Sequence, residues 1–452
     1  MDIAMGLTAA ALILGAASCA GACLRGKLLS WGAAALSSLS LWLLGCYQGE
    51  AVGMRAAACA LVAAMLCGML AAVRFAGAAD RIRGAELVGP ASVLLSLGLY
   101  LRAVEQSATG VSAALFLLLG LLAGSMWHAA RGRRLRTFPP VGPVCAAVGA
   151  GLLLWGVMAP HVSALEAAAE VLRYLGMPFA PGYPATLLFV IAAACPGDDG
   201  QPGWRRRDAV VSALSSIGAL LLMCLGWFNL LVIYVLCLVA IGFAGGERSV
   251  AIVRWPAVAS VACLLMGVLW RSEKLESWYG ALSDPWGIGF QWHEAGRLLA
   301  AAPAVGRGAL PPSTVWLPDA EYTFVLVEVA QAFGWAGLLL AALCIGCLAW
   351  CAVRSLRGAA GTTRRLGAAA GAFLFVPCAL NVAYTLHLLP LPSVSLFPLS
   401  RGATPTVCWV AALLALLACT VRAEGSRAAG SCLLAPIEGA AAAGSCPTAE
   451  VL

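Results

Sequence analysis

Three carboxylates stand at the mouth of a long apolar run. They are Asp319, Glu321 and Glu328 in LPDAEYTFVLVEVAQAFGWAG, Leu317 to Gly337. An acid at the edge of a low-dielectric region has three uses. It can take a proton as a general base, pair with a cation, or face the positive end of a helix. Asp319 follows a proline and caps or borders the helix that begins there. Glu321 lies in the turn, where it is either a base or a solvated loop acid. Glu328 lies about one turn inside the apolar run, where an uncompensated carboxylate is costly. Pairing with a cation such as Arg401 is the reading its position favours. Arg401, Arg297 and Arg307 are cations that could hold phospholipid head groups or stand solvated. His293 beside Glu294 suggests an acid–base pair or a metal ligand, but no second ligand follows at suitable spacing, which favours an ordinary loop histidine. His161 and His387 read as interfacial residues.

The elements that must position these groups are helices in a bilayer. Of 452 residues, 62% are hydrophobic and 11% charged, and the mean hydropathy is +0.91. A soluble chain of that composition could not cover itself with polar surface. Apolar windows predict an all-α polytopic membrane protein of about thirteen transmembrane helices. They lie near 4–23, 28–47, 52–73, 86–101, 110–127, 141–160, 184–196, 209–226, 229–246, 250–270, 324–350, 366–388 and 403–421. No strand-type alternation appears, which argues against a barrel.

The net charge of +7 is no nucleic-acid footprint, because the basic residues lie in short loops between apolar runs. With the N-terminus outside and the C-terminus cytoplasmic, twenty of the 28 Lys and Arg residues fall on the cytoplasmic side, as the positive-inside rule expects. The segment from 271 to 323 is then the longest external connection. Its Trp278, Tyr279, Trp286, Phe290 and Trp292 argue for docking at the membrane surface rather than disorder. The 18 cysteines fall mostly inside apolar segments, where thiols act as small hydrophobes. Cys344, Cys347 and Cys351 share one helix face; with no His or acid near them in sequence, packing is the expected role. Asp2 and the lack of a basic leader suggest a retained first helix. The Ala/Gly/Ser-rich stretch 423–452 reads as a disordered cytoplasmic tail.

Several motifs carry a resemblance. DPWGIGFQ at Asp284 to Gln291, GRG at Gly306 to Gly308 and LPDAEYTF at Leu317 to Phe324 follow in order along the external loop. LLP at Leu388 to Pro390 and PLSRGAT at Pro398 to Thr404 close the series, and RYLGMPFAPGYPAT at Arg173 to Thr186 precedes it. Together they resemble the FtsW/RodA/SpoVE family, the SEDS proteins of shape, elongation, division and sporulation. That family reads DPW…G(Y/F)Q…GxGLGNS…LPEAHTDFIFA…EELGxxG, then LLPVTGIPLPFISYGGSS. The resemblance covers roughly 86–422 as a SEDS-like membrane domain. Residues 1–85 are expected to be extra N-terminal transmembrane helices.

The resemblance implies a bacterial inner-membrane protein of peptidoglycan synthesis that uses lipid II or another undecaprenyl-linked substrate. It implies a class B penicillin-binding protein, a transpeptidase, as partner, with membrane lipids around it. Cations or a divalent metal must offset charge on the departing pyrophosphate, and Arg401, Arg297 and Arg307 are candidates for that task. The acceptor hydroxyl needs a base, which the family places at the Asp of TDF. Here Leu317, Pro318, Ala320 and Phe324 match, but Thr323 stands where that Asp should be. Asp319 replaces the family's Glu, Glu321 its His, and Tyr322 its Thr. Gln331 and Ala332 replace the paired Glu, whereas Gly334 and Gly337 match. Ser400 and Gly402 match the last motif, Arg401 replaces its Tyr, and Ala403 one of its glycines.

Threonine is no base near neutral pH, so Glu321 is the remaining candidate for that role. Three functions compete: a divergent glycosyltransferase, a non-catalytic scaffold for a transpeptidase or division partner, and a transporter or flippase of a lipid-linked sugar. The last would be favoured by inverted repeats and helices broken at mid-membrane.

Overall fold

The computed structural model describes residues 3–24, 27–48, 85–104, 141–162, 166–167, 180–195, 204–270, most of 276–309, 317–318, 320, 322–357, 359, 361–388, 394–400 and 402–433. Among them are eleven α-helices, two short 3-10 turns and no strand. The helices are α1 Ile3–Cys23, α2 Lys27–Gln48, α3 Val88–Val104, α4 Val141–Met158, α5 Gly182–Ala194 and α6 Trp204–Cys224. They continue as α7 Phe228–Trp270, α8 Phe290–Ala300, α9 Val325–Leu356, α10 Gly361–Thr385 and α11 Ala403–Leu433.

Eight segments are long and apolar enough to cross a bilayer, α7 counting as two (Phe228–Glu247 and Ser249–Gly267). Shorter apolar helices cover Val88–Leu101, Gly182–Ala194 and Thr404–Thr420. These eleven segments coincide with eleven of the expected spans. The expected spans at 52–73 and 110–127 lie outside the described residues. Large side chains such as Phe243, Leu339 and Trp350 remain exposed on the helix surfaces. A bilayer solvates such a face, whereas water would not.

Hydroxyls join the first three helices. Ser37 donates to the Ala11 carbonyl at 2.8 Å, Ser18 donates to the Ser30 carbonyl at 2.8 Å, and Ser38 meets Ser96 at 2.7 Å. Such bonds hold helices together where lipid offers no hydrophobic drive. α1 also packs on α9, so the first two helices share one core with the rest of the bundle. The thiols Cys344, Cys347 and Cys351 are buried there, and Cys344 Sγ lies 3.4 Å from Cys19 Sγ. Packing is the role they fill, and both sulfurs are free thiols.

Two contacts bring basic helix ends together. Arg354 donates to the Cys23 carbonyl at 3.3 Å, linking the ends of α9 and α1. The Arg365 side chain lies against Gly245, where α7 breaks at Gly246. With positive charge inside, a reporter fused after Arg207 is expected to read cytoplasmic and one near Gly308 external. A cytoplasmic reading at Gly308 would invert this arrangement.

Candidate functional site

α9 begins the site, and its length explains why. Thirty-two residues rise about 48 Å, while the hydrocarbon core is about 30 Å thick. The helix is divided at Gly334, whose φ is 76°. The part after Gly334 is long enough to span alone, so the first turns, with Glu328, belong to the interface. Gly334 takes the left-handed backbone that side chains resist, and that turn leaves donors and acceptors open inside the helix.

The stretch that follows α8 fills the opening. Trp335 N donates to the Pro303 carbonyl at 2.9 Å, Ala336 N to Ala304 at 3.0 Å, and Gly308 N to Ala332 at 2.8 Å. Non-helical backbone survives at this depth because protein satisfies it. Gly306 passes so close that a Cβ there would strike the Ala332 carbonyl oxygen. The Gly308 carbonyl accepts from the Tyr100 hydroxyl at 3.1 Å, and the Arg307 carbonyl accepts from Gln48 Nε2 at 3.0 Å. The GRG stretch is thus threaded between the ends of α2 and α3 and the break in α9.

Just before α9 the chain turns through Tyr322 and Thr323, and two side chains fix that turn. Asn381, fully buried in α10, donates through Nδ2 to the Thr323 carbonyl at 2.8 Å and to the Val394 carbonyl at 2.6 Å. Both partners are carbonyls, which assigns the amide orientation. Its Oδ1 has no hydrogen-bond partner among the described residues. Ser400 donates to the Tyr322 carbonyl at 2.9 Å and accepts from Leu396 N at 2.7 Å. Three segments distant in sequence therefore meet at one turn: the LPDAEYTF motif, α10 and the PLSRG turn. Replacing Asn381 with Leu would leave two buried carbonyls without donors, each costing about 1–3 kcal/mol. Asn381→Leu is expected to lower the unfolding temperature clearly, and an unchanged value in a thermal melt would contradict the role of this amide.

α8 covers the turn. Its Ala295 and Leu298 pack with Leu317, Ala320, Phe324, Val327 and Tyr384 in a small apolar cluster separate from the main core. Trp292 Nε1 donates to the Tyr384 carbonyl at 3.2 Å, and Gln331 Nε2 donates to Leu298 O at 2.5 Å, near the end of α8. His387 sits beside the rings of Trp278 and Trp292. Arg297 binds Glu294 through two hydrogen bonds, of 2.8 and 2.5 Å. The guanidinium holds the Glu294 carboxyl below its usual range. A carboxylate with a lowered pKa stabilises the fold above its unfolded value and loses that contribution as pH falls through the folded one. Proteolysis of the α8 loop is therefore expected to accelerate below about pH 4.5, the ordinary value of this acid. Glu294→Gln should remove that pH dependence.

The predicted site residues are distributed as follows. Thr323 and Ser400 are buried and meet through the Tyr322–Thr323 turn. Glu328 is 5% exposed, in the first turn of α9, where the positive helix end favours a carboxylate. Arg297 is committed to Glu294, and the Arg307 backbone anchors the threaded loop. Asp319, Glu321 and Arg401 lie outside the described residues, as therefore does the expected Arg401–Glu328 pair. Among the described residues no three His, Cys, Asp or Glu side chains converge as metal ligands. A divalent ion finds no side-chain cage there. Asn381 is the residue that motif reading passed over. Its signal was a lone amide within the apolar run FLFVPCALNVAY.

A helical membrane bundle with a long loop plugged into a broken helix defines the class of this protein. The chain belongs to the FtsW/RodA/SpoVE family: residues 188–424, just over half of it, match that family's sequence model, described as "Cell cycle protein". It is similar to proteins called "Probable peptidoglycan glycosyltransferase FtsW" in three bacteria. Those of Mycobacterium tuberculosis and Mycobacterium bovis are 26% identical over 170 residues, which is 37% of this chain and 32% of each relative. The protein of Thiomicrospira cyclica is 28% identical over 97 residues, 21% of this chain and 25% of its own. The matched stretch spans about a third or less of the length of these curated relatives. With its apolar helices, the chain is a multi-pass bacterial membrane protein.

Proposed function

We propose that this protein serves peptidoglycan synthesis at the outer face of the cytoplasmic membrane, where it binds lipid II without polymerising it efficiently. The observation that carries the reading is the turn at Thr323. Its backbone is held from two sides, by Asn381 and Ser400, while the side chain is a buried threonine. The frame of the family's site is kept and the base is gone. A neutral threonine hydroxyl is too weak a base to take the proton of the acceptor hydroxyl near neutral pH, so the glycosyl-transfer step loses its proton acceptor.

Substrate binding makes fewer demands. The pyrophosphate of lipid II needs cations, and Arg307 and Arg401 are the candidates for that role. The polyprenyl chain needs only lipid beside the bundle. A class B penicillin-binding protein is the partner that would use substrate held here.

A transporter reading has less support. The α7 break at Gly246 separates two full spans (Phe228–Glu247 and Ser249–Gly267), and the α9 break at Gly334 is closed by the external loop. Neither supplies paired half-helices at the midplane.

Binding is tested with purified protein in nanodiscs, by titrating fluorescent lipid II against undecaprenyl phosphate. Saturable binding of lipid II alone is expected, weakened by Arg401→Glu and unaffected by Thr323→Ala. Equal binding of both lipids, or of neither, would overturn the substrate assignment.

A further inference from the structure

α1 and α9 run side by side and in step, and their contacts can be followed rung by rung. A Cβ at Gly15 would meet a Leu340 methyl at 2.8 Å. One turn further, Cys19 Sγ lies 3.4 Å from Cys344 Sγ. One turn beyond that, Cys23 Sγ lies 3.6 Å from Cys347 Sγ. Gly15, Cys19 and Cys23 are four residues apart in α1, so they form one stripe of small side chains. Small residues at a helix seam let two backbones approach closely, which brings thiols from both into contact. We propose that Cys23 and Cys347 form a site of oxidative modification, closed as a disulfide by hydrogen peroxide and reopened by a dithiol reductant.

Access separates this pair from its neighbour. Cys19 and Cys344 are 1% and 0% exposed, so an oxidant dissolved in water does not reach them. Cys23 is exposed and is the last residue of α1. The Arg354 guanidinium donates to its carbonyl, and Arg25 and Lys27 follow in the chain. Charged side chains at that level mark the edge of the bilayer, where water is present. Cys347 is 4% exposed, and its thiol donates to the Cys19 carbonyl at 3.5 Å. It meets the oxidant only through Cys23.

The chemistry balances with one peroxide. The Cys23 thiolate attacks a peroxide oxygen: the S–O bond forms, the O–O bond breaks, and hydroxide departs with the thiol proton as water. Cys347 then attacks the sulfenic sulfur. The S–S bond forms, the S–O bond breaks, and a second hydroxide leaves as water with the Cys347 proton. Two thiols lose two electrons and one peroxide becomes two waters. A disulfide measures about 2.05 Å, so the sulfurs close by roughly 1.5 Å. The bond would join residues 324 positions apart. It would fasten the first helix to α9, whose other end carries Glu328 and Gly334.

The test uses the full chain in nanodiscs, freed of reductant and exposed to hydrogen peroxide. The protein is then denatured, free thiols are blocked with N-ethylmaleimide, disulfides are reduced, and the thiols released are labelled with iodoacetamide and mapped by peptide mass spectrometry. The second label at Cys23 and Cys347 is expected to rise about tenfold with peroxide and to disappear when dithiothreitol precedes the block. Cys23→Ser should leave Cys347 reduced. Cys347→Ser should stop the reaction at the sulfenic acid, trapped on Cys23 by dimedone. Cys344→Ala, which removes the neighbouring rung, should leave the pair intact. A Cys23 that resists peroxide, a second label that persists on Cys347 in Cys23→Ser, or a Cys23 partner other than Cys347 would each overturn the proposal.

Discussion

Thr323→Asp is expected to raise lipid II polymerisation by about 10²–10⁴-fold, the usual contribution of a positioned general base. The substitution keeps the backbone frame of the turn. The Thr323 carbonyl is bonded to Asn381 and the preceding carbonyl to Ser400, so the backbone that would carry the new carboxylate is already fixed. Only the side chain changes, by roughly one heavy atom. Thr323→Asn supplies the same size without basicity and should stay as inactive as the parent. A gain in both variants would mean that shape rather than proton transfer limits the reaction. A folded Thr323→Asp protein that makes no product would place the deficit elsewhere, at the pyrophosphate cations or the acceptor subsite.

Gly334→Leu is expected to remove most of the folded protein. A side chain at φ 76° and ψ −174° costs about 1–3 kcal/mol in backbone strain alone. Its Cβ would also lie 2.6 Å from the Pro303 carbonyl oxygen and 2.7 Å from that of Ala304. The threaded loop would have to withdraw, losing the bonds from Trp335 and Ala336, worth about 0.5–1.5 kcal/mol each. At Gly346, in the same helix, a Cβ would meet nothing within 4 Å, so Gly346→Leu should be tolerated. Fluorescence-detected size-exclusion chromatography of the two variants gives the comparison. A monodisperse Gly334→Leu peak at parental yield would contradict the docking of the loop.

Much of this architecture was legible in the sequence because the bilayer imposes one rule on every span. Runs such as Phe228–Glu247 announce themselves by composition, and the α5 start at Gly182 differs from expectation by two residues. The motif series likewise pointed to the right family, since DPW, GRG, LPDAEYTF and PLSRG lie in order. What the motifs could not convey was how they touch. That Gly306 passes the Ala332 carbonyl, or that Ser400 reaches Tyr322, depends on contacts between segments far apart in sequence. Periodicity carries no trace of such contacts.

Asn381 shows the other kind of loss. A single amide in an apolar helix is expensive unless satisfied, so its presence was information, but acids and cations drew attention first. Gln331 is a similar case: it stands at a position where the family carries a carboxylate, and its amide ties α8 to α9 through the Leu298 carbonyl.

If the site binds its lipid-linked substrate but lacks the base to use it, as proposed, a polymerisation assay tests this most directly. Purified wild-type protein is incubated with lipid II, and glycan strands are resolved by gel electrophoresis, with the Glu321→Gln variant run alongside. Little or no polymer is expected from the wild type, and no difference on changing Glu321. Robust polymerisation by the wild type, lost in Glu321→Gln, would contradict it and make Glu321 the base.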